Sequence, residues 1–273
     1  MQLLFLILFN MDVCHLILLQ ACVNSLVGAC TASLPVRNTE ACLREVRRLK
    51  SLSHIRGVIL GTPGAGSGLD HAAFRPVLAE IEREGLMIFM HPHYGVGNEH
   101  FNDTGHALFL ALGFPFETSI SVSRLSVTGV LDELPDLKVL VAHAGAALPS
   151  LIGRLDSCVE HDALLCKRLQ HLPSHYFRKL YFDAISYSDI ALNGLIDHLS
   201  VGADPSDPTA GAGRIMFGTD NPFFPPLDVP AAEVSSAQWP STIAVERNVN
   251  ALPTTVSKKV MFENAASILN IKV

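Results

Sequence analysis

The sequence predicts an α/β protein with parallel strands of the (β/α)8 TIM-barrel type, and three observations predict it. From residue 26 onward, short apolar runs alternate with amphipathic stretches, the pattern of repeated βαβ units. No Gly-rich phosphate loop follows the first strand, which weakens the doubly wound nucleotide-binding alternative. The polar residues capable of chemistry stand at the C-terminal ends of the apolar runs, where barrel enzymes build their sites.

Six runs read as buried strands, over residues 26–33, 55–60, 86–91, 137–143, 179–183 and 214–220. Helical patterns lie between them. The first, 39–49, follows Asn38, a good N-cap, and keeps Leu43, Val46 and Leu49 on one side. The second, 72–84, follows Asp70 and stops at Gly85, which suits the position just past a helix C-terminus. Stretches 188–199 and 256–269 behave likewise, and the Gly/Asp/Pro-rich stretch 202–213 reads as a surface loop. There is no internal repeat, low-complexity segment or domain linker, so residues 26–273 read as one domain.

Composition narrows the function. With 273 residues, 49% hydrophobic and 17% charged, the chain can bury a large core and disorder is excluded. The formal net charge is −6 and no basic run occurs, which excludes a nucleic-acid or anionic-membrane surface. A small-molecule enzyme or a structural module remains. The six cysteines show no C-x-x-C spacing, so they read as reduced, mostly buried thiols in a cytoplasmic protein. Residues 1–25 form an apolar leader. It carries no basic n-region, since the first Lys or Arg is Arg37, and Asn10 and Asp12 interrupt it. That fits neither a secretory signal nor a membrane span. A misplaced start or retained non-coding sequence explains the leader better.

Four strand ends carry the candidate chemistry. His91 closes the apolar run Met87-Ile88-Phe89-Met90, and Pro92 stops the strand. His143 ends Val139-Leu140-Val141-Ala142, Asp183 follows Tyr181-Phe182, and Asp220 follows Met216-Phe217-Gly218-Thr219. A single strand-end histidine is more often a hydrogen-bonded structural residue than a ligand. Two histidines and two carboxylates at one barrel mouth would instead suit a divalent metal and an acid/base pair. His93 adjoins His91, whereas His100, His106, His161, His171, His175 and His198 read as loop or helix-surface residues.

Several motifs carry a family resemblance. His91-Pro92, His143-Ala144-Gly145 with Gly153-Arg154, Gly218-Thr219-Asp220-Asn221-Pro222-Phe223 and the tail Lys258 to Ala266 resemble the aminocarboxymuconate-semialdehyde and γ-resorcylate decarboxylases of the amidohydrolase superfamily. Within that family, His91-Pro92-His93-Tyr94-Gly95, Asn98-Glu99 and Ala111 to Thr118 are similar to the fungal uracil-5-carboxylate (isoorotate) decarboxylases. The resemblance covers residues 26–273. It implies an amidohydrolase-type barrel in which His91 and Asp220 bind the metal and Asp220, helped by His143, transfers the proton. Arg154, Phe223 and His93 are then substrate contacts, and Asp183 is structural or supports the metal site. It further implies zinc, with manganese or iron as substitutes, an aromatic or pyrimidine carboxylate as substrate, and a homo-oligomer.

In one respect the chain departs from that family. Its members open with a strand bearing His-x-His or a Glu variant, which supplies two further metal ligands, whereas His15 stands alone in this N-terminal region. Six βα units are read where a closed barrel needs eight, and they align with strands 3 to 8. The expectation is an incomplete, N-terminally truncated barrel lacking its first two units. Three functional readings follow: a carboxy-lyase, a metal-dependent hydrolase on the same fold, or an inactive fragment that lacks ligands.

Overall fold

A computed structural model describes residues 30–271, apart from 65–66, 222 and 231–232. The apolar leader and the start of the first predicted strand lie outside the described residues. Among the described residues there are six strands, and every pairing whose register is described is parallel. The chain forms two compact units, one spanning Thr31–Tyr181 and the other built on Phe182–Val273.

β1 (Cys30–Ser33) leads into the first unit at Thr31, and α1 (Thr39–Lys50) follows. Asn38 caps α1 as read from the sequence, its side chain accepting the Ala41 amide at 2.9 Å. Strands β2 (Ile55–Gly61), β3 (Met87–His91) and β4 (Lys138–Val141) run side by side, with Gly61 opposite His91 and Met90 opposite Val141. Every residue of β3 is buried, as expected of a parallel strand covered on both faces. Cys42, Val46 and Leu49 of α1 and Val77, Leu78 and Ile81 of α2 (Arg75–Arg83) are core residues. α2 starts later than the pattern predicts. Asp70 does not cap it but accepts two bonds from Arg124, at 2.8 and 2.7 Å, and Pro76 sits in the first turn, where a missing N–H costs nothing.

Several helices lie outside the stretches read as helical from the sequence pattern. α3 (Phe114–Val127), entered through a π-turn at Phe109–Gly113, buries Glu117, Thr118, Ser119, Ser121 and Ser126 beside Val122 and Leu125. A helix whose hidden face is largely polar shows no apolar stripe. α4 (Val130–Glu133) leads into β4, and α5 (Leu148–Glu160) buries Leu148, Ile152 and Val159. α6 (Leu165–Arg168) and α7 (Pro173–Phe177) close the unit. The expectation of buried thiols fails for two of three free cysteines: Cys42 is buried, while Cys158 on α5 and Cys166 on α6 are exposed.

In the second unit β5 (Tyr181–Asp183) pairs with β6 (Ile215–Met216), Phe182 opposite Ile215 and Asp183 opposite Met216. α8 (Asp189–Ser200) lies between them, capped by Ser188. β6 is only two residues long, although 214–220 read as strand. The Phe217 amide turns away and donates to the Val260 carbonyl at 2.8 Å. Val260 lies in a π-turn, Lys259–Glu263, that divides the predicted closing helix into α10 (Thr254–Lys258) and α11 (Asn264–Ile268); α9 (Pro240–Asn250) precedes them. Buried Asn264 fastens this region by donating to the Ala212 and Ile215 carbonyls, each at 2.7 Å. Among the described residues no helix is long and apolar enough to cross a membrane.

Candidate active site

His91 is the last residue of β3, and Pro92, with no N–H to continue the ladder, ends the strand there. Its Nδ1 lies 2.7 Å from the Pro92 carbonyl, which sets the proton on Nδ1 and the lone pair on Nε2. His143 stands two residues beyond β4, not on it as the sequence pattern implied. The chain enters a tight turn in which His143, Ala144, Gly145 and Ala146 all have positive φ, closed by the Ala146 amide on the His143 carbonyl at 2.7 Å. Three of those four are non-glycine residues, each costing on the order of 1 kcal/mol in that region, so the turn stores strain at the point where the imidazole is presented.

The two imidazoles meet edge to face, ring centroids 5.2 Å apart. Burial pushes His91 down to about 4, partly offset by the Pro92 carbonyl and Glu117, and pushes His143 down to about 3. His143 retains some exposure as a residue, but its Nδ1 is shielded from solvent. Both rings are therefore neutral at pH 7, the state in which imidazole ligates metals.

Glu117 anchors the loop that follows His91. Buried to 7% exposure, it accepts the His93 amide at 3.1 Å, the Tyr94 amide at 2.9 Å, the Gly95 amide and the Thr62 hydroxyl. Three consecutive amides converging on one carboxylate form a backbone cradle. Gly95 is required there: its φ is +69°, and a Cβ would stand 2.7 Å from the Phe109 ring. Glu117 lies within a motif quoted for the family resemblance, yet no spacing rule marks it, because its partners are 22 to 55 residues away.

Asp220 belongs to the second unit. It is buried, with φ +55°, and accepts the Tyr187 hydroxyl on Oδ2 at 2.7 Å. Burial raises its carboxyl to about 6, against the lowering effect of that hydrogen bond. Burial and then the charges of Asp220 and Asp183 push the Tyr187 hydroxyl far up, so it stays protonated and donates. Neighbouring backbone is held by side chains: Ser241 donates to the Thr219 carbonyl at 2.6 Å, and the Trp239 indole to the Phe223 carbonyl at 2.5 Å. The Phe223 amide bonds the Asp220 carbonyl at 2.8 Å.

Of the residues singled out from sequence, His91 and His143 come together, and Phe223 shares the turn of Asp220. Asp183, fully within the core, accepts the Ile185 amide at 3.0 Å and shapes the turn after β5. The His93 ring packs against Tyr94, centroids 4.4 Å apart, and Arg154 is exposed on α5. Tyr187 and Glu117 were not found by sequence reasoning. Among the described residues, His91 and His143 of the first unit and Asp220 of the second are the side chains that offer candidate ligand atoms to a metal ion. His143 thereby joins as a third candidate ligand, where sequence reasoning gave it only a part in proton transfer.

A buried histidine that ends β3, a half-buried histidine two residues past β4 and a buried aspartate past β6 define candidate metal ligands on an α/β fold. The chain belongs to the amidohydrolase family, whose profile matches residues 27–271. It is 29% identical over 192 residues to 2-amino-3-carboxymuconate-6-semialdehyde decarboxylase of Dictyostelium discoideum, covering 70% of this chain and 50% of that relative. The apo crystal structure of Metarhizium anisopliae IDCase superposes with a TM-score of 0.79 at 34% identity, over 89% of this chain and 64% of that one. A dihydroxybenzoic acid decarboxylase of Polaromonas, holding manganese and 2-nitroresorcinol, shares the fold (TM-score 0.72, 20% identity, 93% of this chain and 72% of that one). The chain thus spans about half the length of the curated relative and under two thirds of IDCase.

Proposed function

We propose that the protein acts as a metal-dependent, non-oxidative decarboxylase of a carboxylated ring, with uracil-5-carboxylate as substrate and uracil and carbon dioxide as products. The observation that carries the proposal is the pair of neutral imidazoles His91 and His143, ring centroids 5.2 Å apart, to which the proposal adds Asp220 as the carboxylate ligand. The donor set fits a divalent cation. Two imidazoles held neutral need lose no proton to bind one, and a buried carboxylate raised to about 6 is relieved by a nearby positive charge. We favour zinc; manganese, found in the Polaromonas relative, and iron suit the same ligands. A bound ion would supply the charge that holds the substrate carboxylate and the adjacent ring oxygen.

The chain's own residues supply the proton chemistry. Asp220, a buried carboxylate bonded by the Tyr187 hydroxyl, is the proposed carrier of the proton that goes to the ring carbon bearing the carboxylate. The carbon–carboxylate bond then breaks, its electron pair returns to the ring, and carbon dioxide leaves. The Asp220 carboxylate then regains a proton from solvent. Phe223, His93 and Arg154 are the proposed substrate contacts. The free thiols of Cys42, Cys158 and Cys166 suit a reducing cytoplasm. A phenolic acid is the second reading, favoured by the dihydroxybenzoic acid decarboxylase among the structural relatives.

The test is product analysis with the metal-loaded chain offered 5-carboxyuracil and 2,6-dihydroxybenzoate separately. Release of uracil and carbon dioxide supports the first reading, and decarboxylation of the phenolic acid alone supports the second. Metal-loaded protein that decarboxylates neither acid would sink the decarboxylase proposal. Asp220→Asn should lower turnover at least about 10³-fold, the scale of general acid catalysis. Undiminished activity in that variant removes Asp220 from the mechanism.

A further inference from the structure

We infer that Tyr187 is a positioning residue for Asp220: its hydroxyl fixes the carboxylate so that Oδ1 is directed to metal and substrate. The inference rests on the proposed role of Asp220 and adds a residue to it.

Tyr187, Asp220 and Phe224 all have positive φ, at 54°, 55° and 56°, a region that L side chains rarely adopt. The three touch in series. The Tyr187 hydroxyl donates to Asp220 Oδ2 at 2.7 Å, and its ring meets Phe224 edge to face, centroids 5.7 Å apart. Strain at three contacting residues persists only where the surroundings over-determine it, and such clusters mark functional sites.

Those surroundings are present. Asp183 takes the Ile185 amide at 3.0 Å, and the Ser186 hydroxyl donates to the Ser188 carbonyl at 2.7 Å, shaping the turn that carries Tyr187. Buried Ser241 bonds the Thr219 carbonyl and stands beside the Tyr187 hydroxyl. Trp239 holds the Phe223 carbonyl at 2.5 Å, next to Phe224.

A purely structural tyrosine would explain less. Tyr187 keeps 39% of its surface exposed, so burial of its ring does not account for the strained backbone. Its hydroxyl goes to the one carboxylate among the proposed metal ligands. A hydrogen bond of this kind fixes a ligand's rotamer, and losing such a partner weakens metal binding by about 10- to 100-fold. With Oδ2 committed to the hydroxyl, Oδ1 has its lone pairs for the ion.

The experiment compares the full-length chain with Tyr187→Phe, which removes the hydroxyl and keeps the ring. Mn2+ affinity is read by chelator competition, and kcat and KM are read with 5-carboxyuracil. The inference expects Mn2+ binding weakened about 10-fold or more, kcat reduced by a similar factor and KM within about twofold. Phe224→Ala, which removes only the ring behind Tyr187, should move the same quantities in the same direction by less. If wild type binds Mn2+ and Tyr187→Phe binds it equally with kcat unchanged, the inference is overturned while the functional proposal stands. If wild type binds no Mn2+, the metal-site proposal fails. The inference is then judged in metal-free protein by a double-mutant cycle of Tyr187→Phe with Asp220→Ala. Non-additive shifts in thermal midpoint retain the Tyr187–Asp220 link, and additive shifts refute it.

Discussion

The two compact units hold their candidate ligands by different means. In Thr31–Tyr181, His91 ends a fully buried strand and bonds the next carbonyl at 2.7 Å, and the loop beyond it hangs on one buried carboxylate, Glu117. In the unit built on Phe182–Val273, Asp220 sits on strained backbone; Tyr187 bonds its carboxylate, while Ser241 and Trp239 hold the Thr219 and Phe223 carbonyls on either side. The same force, desolvation, acts on both with opposite consequences. It leaves the histidines neutral and ready to ligate, but it leaves Asp220 favouring a proton it must lose to ligate. The histidine side is therefore prepared for a cation in advance, and the carboxylate side is completed by one.

Removing Glu117 is the strongest way to break that contrast. Glu117→Ala strips the acceptor from three amides and a hydroxyl at once. Unsatisfied buried donors cost about 1–3 kcal/mol each, and water entering the gap recovers part of this. The expected loss is about 4 kcal/mol in denaturant titration, with His91 displaced along with its loop. A loss below about 1 kcal/mol would show that the cradle does not organise this unit.

Acidity sharpens the contrast next. The folded His91 sits near 4 against 6.5 when unfolded. Its contribution is full above pH 6.5 and is lost as pH falls toward 4, on the order of 3 kcal/mol in all. Asp220 has the opposite sign: raised to about 6 from 3.8, it stabilises the metal-free fold below pH 4 and loses that contribution as pH rises through 6. Thermal midpoints of the metal-free protein should fall from pH 7 to 4.5, and His91→Phe should flatten that fall. Mn2+ affinity should weaken about tenfold per pH unit below 6 as Asp220 regains its proton, a slope that Asp220→Asn abolishes.

The smallest effect belongs to the second unit's supports. Ser241→Ala removes one bond to the Thr219 carbonyl and should cost about 1 kcal/mol. Turnover should drop more than stability does, because the residue after Thr219 is the proposed acid. A matching loss at a position far from the turn, with turnover intact in Ser241→Ala, would remove the support role.

Much of the frame is legible from local chemistry. Asn38 and Ser188 cap their helices because short polar side chains satisfy the first amides wherever a helix begins. β3 reads true because an unbroken apolar run with Pro after it has few alternatives. The reading fails where residues far apart in sequence decide. The 214–220 run loses its strand after Met216 because Val260 takes the Phe217 amide. α3 is invisible because its buried face is a row of serines with Glu117, whose partners come from elsewhere in the unit.

The sequence by itself determined the alternation of strand and helix, the parallel sheet and the placing of His91, His143 and Asp220 near strand ends. Those features follow from periodicity and turn chemistry, which act over a few residues. Tertiary structure alone decided that His143 stands on a strained turn past its strand, that Glu117 holds the loop after His91, and that Tyr187 bonds Asp220. Desolvation and hydrogen bonding depend on what surrounds a group in space, and the bond from Tyr187 to Asp220 joins residues 33 positions apart.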